Sequence, residues 1–338
     1  MKSETIFITG ATGYLGNAIA IRCAEQGYKV KALIRDLNKI EKTPAAFRDN
    51  PAIIKLKGDI VRPDSYQKEL KDCTYLIHTA ALVKMWVKDT SLFYKTNVKA
   101  VEKLYFSAHD NGVKKIFHIS SFFALGPSTQ NKPCTEITMH ATDHFHNDYE
   151  QSKYLGDQKA LELIKKGLPI VRIYPAVIYG PGMITEGNLI AKMILEYLQG
   201  KAIGIIGGDK LWTYSYIDDI TDGIIKAIEK GTPGERYIFG GEDKNLNELY
   251  ALVAKLSQRK PLTRQIPFWA AYLLGAILYL RADLFNSEPM VTHEVVTIFK
   301  HHWTYDCQKA IRELGYTVTP FETGIRKTME WINNVKDK

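Results

Sequence analysis

The chain has 338 residues, 45% of them hydrophobic and 24% charged, a balance that suits one substantial folded unit with an appended lobe and shows no sign of disorder. Its 45 Lys and Arg against 37 Asp and Glu leave a net charge of +8, but the basic residues are scattered, which argues against a nucleic-acid-binding protein and fits a solvated surface that attracts anionic phosphates. The four cysteines, Cys23, Cys73, Cys134 and Cys307, lie far apart without metal-ligand spacing, which disfavours a disulfide framework or a structural metal and fits a reducing, cytoplasmic compartment.

The first four residues lead straight into an apolar run, Thr5 to Thr9, that predicts a strand and leaves no room for a targeting segment. Behind it, Thr9-Gly10-Ala11-Thr12-Gly13-Tyr14-Leu15-Gly16 spaces three glycines as G-x-x-G-x-x-G. Gly10 lets the strand turn sharply, Gly13 lets main-chain N–H groups approach a pyrophosphate, and Gly16 lets the next helix pack closely on the sheet. With helical periodicity over 12–26 and a second strand over 29–34, the segment predicts a dinucleotide site whose phosphates lie at a helix N-terminus. Arg35 closes that second strand, where a cation welcomes the 2′-phosphate of NADP, and Lys31 adds charge to the same strand. Asp36, one position late, keeps NAD open.

Further strand-like runs at 52–56, 74–79, 115–120 and 169–174 alternate with helical stretches at 64–71, 92–111 and 148–166. Alternation of this kind predicts an α/β fold with a parallel sheet covered on both faces and a ligand at the carboxyl ends of the strands. Within 148–166, Tyr149 and Lys153 stand at i and i+4 on one helix face. A phenol is a sluggish proton donor or acceptor at neutral pH, and a nearby ammonium favours its phenolate, so the pair suits proton transfer at an oxygen beside a hydride transfer. Just upstream, His140, His144 and His146 could be drawn as a metal site, but substrate contact or a pH-sensitive surface is favoured and no metal is expected. Beyond residue 182 the pattern loosens to a helix near 189–199, a short strand around 203–206 and a Gly207-Gly208-Asp209 turn. The apolar run 266–280, which opens Ile266-Pro267-Phe268-Trp269 and closes at Leu280, is shorter than the roughly 20 residues that span a bilayer. It reads first as a buried helix of the second lobe, and alternatively as a hydrophobic lid or monolayer-dipping helix giving peripheral membrane contact.

The glycine turn, Gly58-Asp59-Ile60, His78-Thr79-Ala80-Ala81, Asn97-Val98, Ser120-Ser121, Tyr149 with Lys153, the run Tyr174 to Gly182, Tyr216-Ile217-Asp218-Asp219 and Asp306 to Gly315 together resemble an extended short-chain dehydrogenase/reductase. Within it the chain is most similar to the bacterial dihydroflavonol-4-reductase-like and 3β-hydroxysteroid dehydrogenase-like group. The resemblance implies a Rossmann-type doubly wound parallel sheet over 1–172 plus 211–236, interleaved with a smaller C-terminal substrate lobe over 173–210 and 237–338. It implies that Tyr149 is the acid/base and that Lys153 tunes it and holds the nicotinamide ribose. Ser121, five residues before Gly126, would polarise the substrate oxygen, and Asn97 would hold a relay water, with a helix-bending amide as the plainer alternative. It places the cofactor against Gly10, Thr12, Gly13, Tyr14, Leu15, Gly16, Arg35, Asp59, Ile60, His78, Ala80, Ala81, Tyr149, Lys153, Tyr174, Pro175 and Val177, with Tyr179-Gly180-Pro181 as a wall beneath the nicotinamide.

Two departures narrow the chemistry. Tyr174 stands where many sugar-modifying relatives carry Arg, and Phe122-Phe123 stand where dehydratases carry an acidic pair, so elimination of water is disfavoured and the pocket entrance is apolar. The expected protein is an NADP-dependent reductase or alcohol dehydrogenase for a fairly hydrophobic small molecule. A nucleotide-sugar epimerase with tightly held NAD and a non-catalytic redox sensor are the alternatives, and the resemblance implies a homodimer through the helices over 92–111 and 148–166.

Overall fold

The computed structural model describes residue 2 and residues 4–141, 144–285 and 287–336. The apolar runs become the strands β1 (Thr5–Thr9), β2 (Lys29–Ile34), β3 (Ile53–Lys57), β4 (Tyr75–His78), β5 (Lys115–Ile119), β6 (Ile170–Pro175), β7 (Val177–Tyr179), β8 (Trp212–Tyr216), β9 (Arg236–Phe239) and β10 (Glu242–Lys244). Seven form one sheet in the order β3-β2-β1-β4-β5-β6-β9, paired in parallel throughout, and β10-β8-β7 form a second, smaller sheet. The strand order reverses between β1 and β4, and a ligand crevice opens at such a reversal, beyond the carboxyl ends of the strands.

The helices, in chain order, are α1 (Tyr14–Glu25), α2 (Ala45–Arg48), α3 (Ser91–Tyr94), α4 (Ala100–Asp110), α5 (Asp148–Lys165), α6 (Leu189–Leu198), α7 (Ile217–Lys230), α8 (Leu246–Ser257), α9 (Phe268–Phe285), α10 (His293–Ile298), α11 (Gln308–Leu314) and α12 (Phe321–Lys336). The pleat of β1 shows how the layers form, since successive side chains point to opposite faces. Ile6 and Ile8 join Ile19 of α1 and Ile220 and Ile224 of α7 in one apolar cluster, whereas Phe7 joins Leu104 and Tyr105 of α4 and Leu163 of α5 in another. Across the first layer, Arg22 of α1 donates to Asp222 of α7 at 2.6 Å. Asp219 of α7 accepts from both the main-chain N–H and the hydroxyl of Thr319, at 2.7 Å each, which ties the C-terminal segment to the sheet domain.

Several expected elements take another form. The helix expected over 64–71 is two 3-10 turns, Pro63–Ser65 and Gln67–Leu70, because Tyr66 between them leaves helical geometry at φ −142°. Around 203–206 a single bridge from Ile205 to Gln265 replaces the strand, in a stretch weakened by Gly200, Gly204, Gly207 and Gly208. Strand β8 pairs with β7 and β10, and the boundaries drawn at 172 and 236 fall inside β6 and on the first residue of β9. The apolar run beginning at Ile266 becomes α9, with only Ala271, Gly275 and Ala282 buried, so the reading as a buried core helix is wrong. Its large side chains face outward, and no other element packs on that side among the described residues.

Candidate active site

At the carboxyl end of β1, Gly10 adopts φ +75°, and a Cβ there would sit 2.7 Å from the main-chain nitrogen of Ala80. A Cβ on Gly16 would lie 2.3 Å from the Gly10 carbonyl oxygen, so the first turn of α1 can rest on the loop only as glycine. Gly13 is exposed and forms the N-cap of α1 with no side-chain cap, which leaves the helix's first N–H groups facing the crevice as an anion site. This cradle, which side chains would fill, fits a dinucleotide pyrophosphate. Thr12 and Leu15 flank it half-buried, and Tyr14 is buried with a hydroxyl that meets no partner among the described residues.

At the end of β2, Arg35 is exposed beside the crevice, whereas the Asp36 carboxylate accepts from Asn38 N–H at 3.1 Å and caps a 3-10 turn. Lys31 does not join Arg35. Its ammonium donates to the carbonyls of Glu69 and Lys71, at 2.8 and 3.2 Å. Asp59 caps the N–H of Val61 at 3.1 Å, and Ile60 is buried against Phe7 and Leu33.

The catalytic candidates sit on α5 and the short turn after β5. Asn147 caps α5 by accepting from Glu150 N–H at 2.8 Å, which sets Tyr149 in the first turn, where it is buried with its ring 5.7 Å from that of Phe123. Burial pushes the Tyr149 phenol up, so it is the protonated form that the fold favours at neutral pH. One turn on, Lys153 is also buried and donates to the Ile119 carbonyl at 3.3 Å, and burial lowers its ammonium to about 8 against the pull of Asp157. Ser121 begins the turn Phe122–Leu125 and accepts from Phe123 N–H at 3.3 Å, while the buried Ser120 hydroxyl has no partner among the described residues.

Asn97 lies in a π-helical turn, Lys95–Lys99, that interrupts the expected 92–111 helix, and such turns mark functional sites in many folds. Its amide is fully engaged: Oδ1 accepts from Leu82 N–H at 2.8 Å and Nδ2 donates to the Ser152 hydroxyl at 2.8 Å. The side chain therefore pins the loop after β4 to α5. The main-chain carbonyl oxygen of Asn97 approaches α5, where a Cβ on Gly156 would lie 2.5 Å away. Asn97, Ala80, Ala81, His118, Ile119 and Lys153 line a cavity of about 10 Å³.

His78 and Tyr174 have their polar side-chain atoms engaged inside the fold. The His78 imidazole is buried in the sheet, where Nδ1 shares a 2.8 Å hydrogen bond with the Thr9 hydroxyl and burial lowers its pKa to about 3, so it is a neutral core group. The Tyr174 phenol donates to Asp157 at 2.7 Å, beside the buried Arg172–Asp157 pair at 3.1 Å. The three histidines do not converge as ligands. His140 and His146 both hydrogen-bond the fully buried Glu150 carboxylate, at 3.1 and 2.9 Å, and the His146 N–H donates to it at 2.6 Å. His144 is exposed, and Thr142 and Asp143 lie outside the described residues. Glu150 went unremarked in the sequence, although it neighbours Tyr149 and faces two of the three histidines.

Over Tyr149 the walls are aromatic. Phe122 and Phe123 stack at 4.3 Å, and Trp303 stands edge-on to both, at 5.6 and 5.0 Å. His146 packs against His301 and Trp303, at 4.6 and 5.8 Å. Trp303 arrives from a segment more than 150 residues beyond Tyr149, and no local pattern announced it.

Comparison with known proteins gives the family and the fold. The sequence profile of the NAD dependent epimerase/dehydratase family matches residues 6–240. A Synechocystis protein provisionally named dihydroflavonol 4-reductase is 25% identical over 98% of this chain and 95% of its own. A 2-alkyl-3-oxoalkanoate reductase from Shewanella oneidensis is 23% identical over 96% and 86%. Among solved structures, gox2253 superposes with a TM-score of 0.81 at 29% identity over 99% of both chains. The UDP-glucuronic acid 4-epimerase of Bacillus cereus, in complex with UDP-glucuronic acid and NAD, shares the fold with a TM-score of 0.77 at 21% identity over 98% of this chain and 99% of its own.

Proposed function

The chain belongs to the NAD-dependent epimerase/dehydratase family and is an oxidoreductase of the short-chain dehydrogenase/reductase type acting on CH–OH groups, and from that premise we propose that it is an NADP(H)-dependent reductase of hydrophobic ketones. The observation that carries the reading is the buried Tyr149, its phenol held protonated, beneath an aromatic wall of Phe122, Phe123 and Trp303. A charged sugar nucleotide gains little from such a wall, and an apolar ketone gains burial.

The bound nicotinamide supplies or accepts the hydride. Gly10, Gly13 and the N-terminus of α1 would hold the pyrophosphate of the dinucleotide, and Arg35, exposed while Asp36 is engaged in its own turn, would favour the 2′-phosphate of NADP. Ser121 donates to the carbonyl oxygen of the substrate, Tyr149 delivers the proton to that oxygen, and the charged Lys153 makes the phenol a better acid. Asn97 acts as a positioning residue by fixing the 80–82 loop to α5. Leu92, Tyr94 and Leu155 leave apolar surface on the outer side of α3 to α5, which supports a homodimer through that face.

The test is to purify the protein without added cofactor, denature it and quantify released dinucleotide by mass spectrometry, then titrate the emptied protein with NADPH and NADH. Little retained cofactor, with NADPH binding at least tenfold tighter, supports the reading. Near-stoichiometric NAD overturns it in favour of an epimerase with a recycled cofactor and refutes the role of Arg35.

A further inference from the structure

Helix α9 is built inside out. Over its 18 residues the mean hydropathy is 1.4, yet 17% of it is buried. The buried positions are the small residues Ala271, Gly275 and Ala282, and Gly275 lies so close to α10 that a Cβ there would come within 2.6 Å of the His293 nitrogen. The large side chains Trp269, Leu273, Ile277, Leu280 and Leu284 recur at helical spacing in one stripe, each more than half exposed, with Phe285 closing the row. A helix of a water-soluble surface carries the opposite arrangement.

Helix α9 cannot cross a bilayer while the fold holds both its ends. At its start, Ile205 N–H donates to the Arg264 carbonyl and Ile266 N–H to the Ile205 carbonyl, at 2.8 Å each, and after its end the chain returns through α10 along its packed face. The apolar stripe therefore lies parallel to any surface it meets. The rim of that surface is basic and aromatic. Arg259, Lys260 and Arg264 precede the helix within nine residues, Arg281 lies within it, and the Lys300 ammonium stands 5.8 and 6.0 Å from the rings of Phe268 and Tyr272. Amphipathic rings and cations of this kind sit at the headgroup level of membranes, and cations select anionic lipid. Behind α9, the segment that follows α10 runs from Phe299 to Trp303, against Trp212, Phe122 and Phe123 over Tyr149.

We propose that α9 is an in-plane membrane-docking helix that inserts its outer stripe into the headgroup–acyl boundary of an anionic bilayer and sets the active-site mouth against the lipid phase. The docking stands on α9 alone. The corollary, that the substrate enters from the lipid, rests on the hydrophobic-ketone reading above.

The experiment is flotation of the intact protein with vesicles of phosphatidylcholine alone or with 30% phosphatidylglycerol, comparing wild type with the double variant Ile277→Glu/Leu280→Glu. Both positions are exposed, and an unchanged thermal midpoint and NADPH affinity certify the variant's fold. Expected is at least tenfold more wild type floating with the anionic vesicles than with phosphatidylcholine, and at least a tenfold loss in the variant. Wild type that stays at the bottom with both vesicles overturns the proposal, as does a variant that floats like wild type. Equal flotation with both vesicle types overturns the anionic choice. Light scattering that shows a larger wild-type assembly dissolved by the two substitutions, without vesicle binding, assigns the stripe to a second copy of the chain instead. Docking without reduction of any ketone leaves α9 as proposed and refutes the functional reading, so the two failures separate.

Discussion

Replacing Glu150 by Ala probes whether a buried ion network holds the catalytic turn. Its carboxylate is 0% exposed and accepts three hydrogen bonds, from His146 N–H at 2.6 Å, His146 Nδ1 at 2.9 Å and His140 Nε2 at 3.1 Å. Burial alone would raise its pKa, but the hydrogen bonds from His140 and His146 overcome it and hold the carboxyl at about 2. Removing one partner of such a network costs about 3–5 kcal/mol. An unfolding entropy of roughly 2.1 cal/mol/K per residue, over 338 residues, gives ~0.7 kcal/mol/K and a fall in melting temperature of about 4–7 °C. Because the folded pKa lies below the ordinary carboxyl value of 4.5, the contribution is fully present above that value and is lost as pH falls toward about 2. Scanning calorimetry at pH 7 measures the gap, and its narrowing between pH 4.5 and 2 checks the sign. A shift under about 1 °C at pH 7 would refute the network's role, and a gap that widens in acid would refute the assigned protonation state.

The remaining predictions concern the proton path and the cradle. Because burial lowers Lys153 to about 8 while Tyr149 is pushed up, ketone reduction should hold steady below pH 8 and decline above it as the ammonium loses its proton; kcat/KM that stays flat through pH 9.5 contradicts this. Gly16→Ala places a methyl 2.3 Å from the Gly10 carbonyl, which should cost about 1–3 kcal/mol in calorimetry and weaken dinucleotide binding at least tenfold by fluorescence titration. Asn97→Ala leaves Leu82 N–H and the Ser152 hydroxyl without their partner, with an expected loss of about 1–3 kcal/mol and a raised KM at nearly unchanged kcat. A fall in kcat alone would place the amide in the chemistry instead.

The sheet could be read from sequence because parallel strands buried on both faces appear as continuous apolar runs, and β1 and β2 fell where expected to the residue. Gly10 and Gly16 were readable for a related reason, since their close contacts are local and tolerate nothing larger. The site was harder to read where a residue's partner is distant in sequence. Nothing beside Tyr174 announces Asp157, nothing beside Asn97 announces Leu82, and Trp303 reaches the pocket only through tertiary packing. Periodicity misjudged α9 because an apolar segment has the same composition whether a core covers it or not, and only the neighbours decide.

The central claim is that Tyr149 protonates a substrate oxygen in a site that independently holds the dinucleotide. Single-turnover NADPH oxidation by wild type and Tyr149→Phe, across a panel of hydrophobic ketones, tests it most directly. The account predicts that the variant binds NADPH within about threefold of wild type while reduction falls by about 10²–10⁴-fold. Turnover within tenfold of wild type, or a wild-type protein that reduces no ketone and keeps its biological role after the substitution, would contradict it.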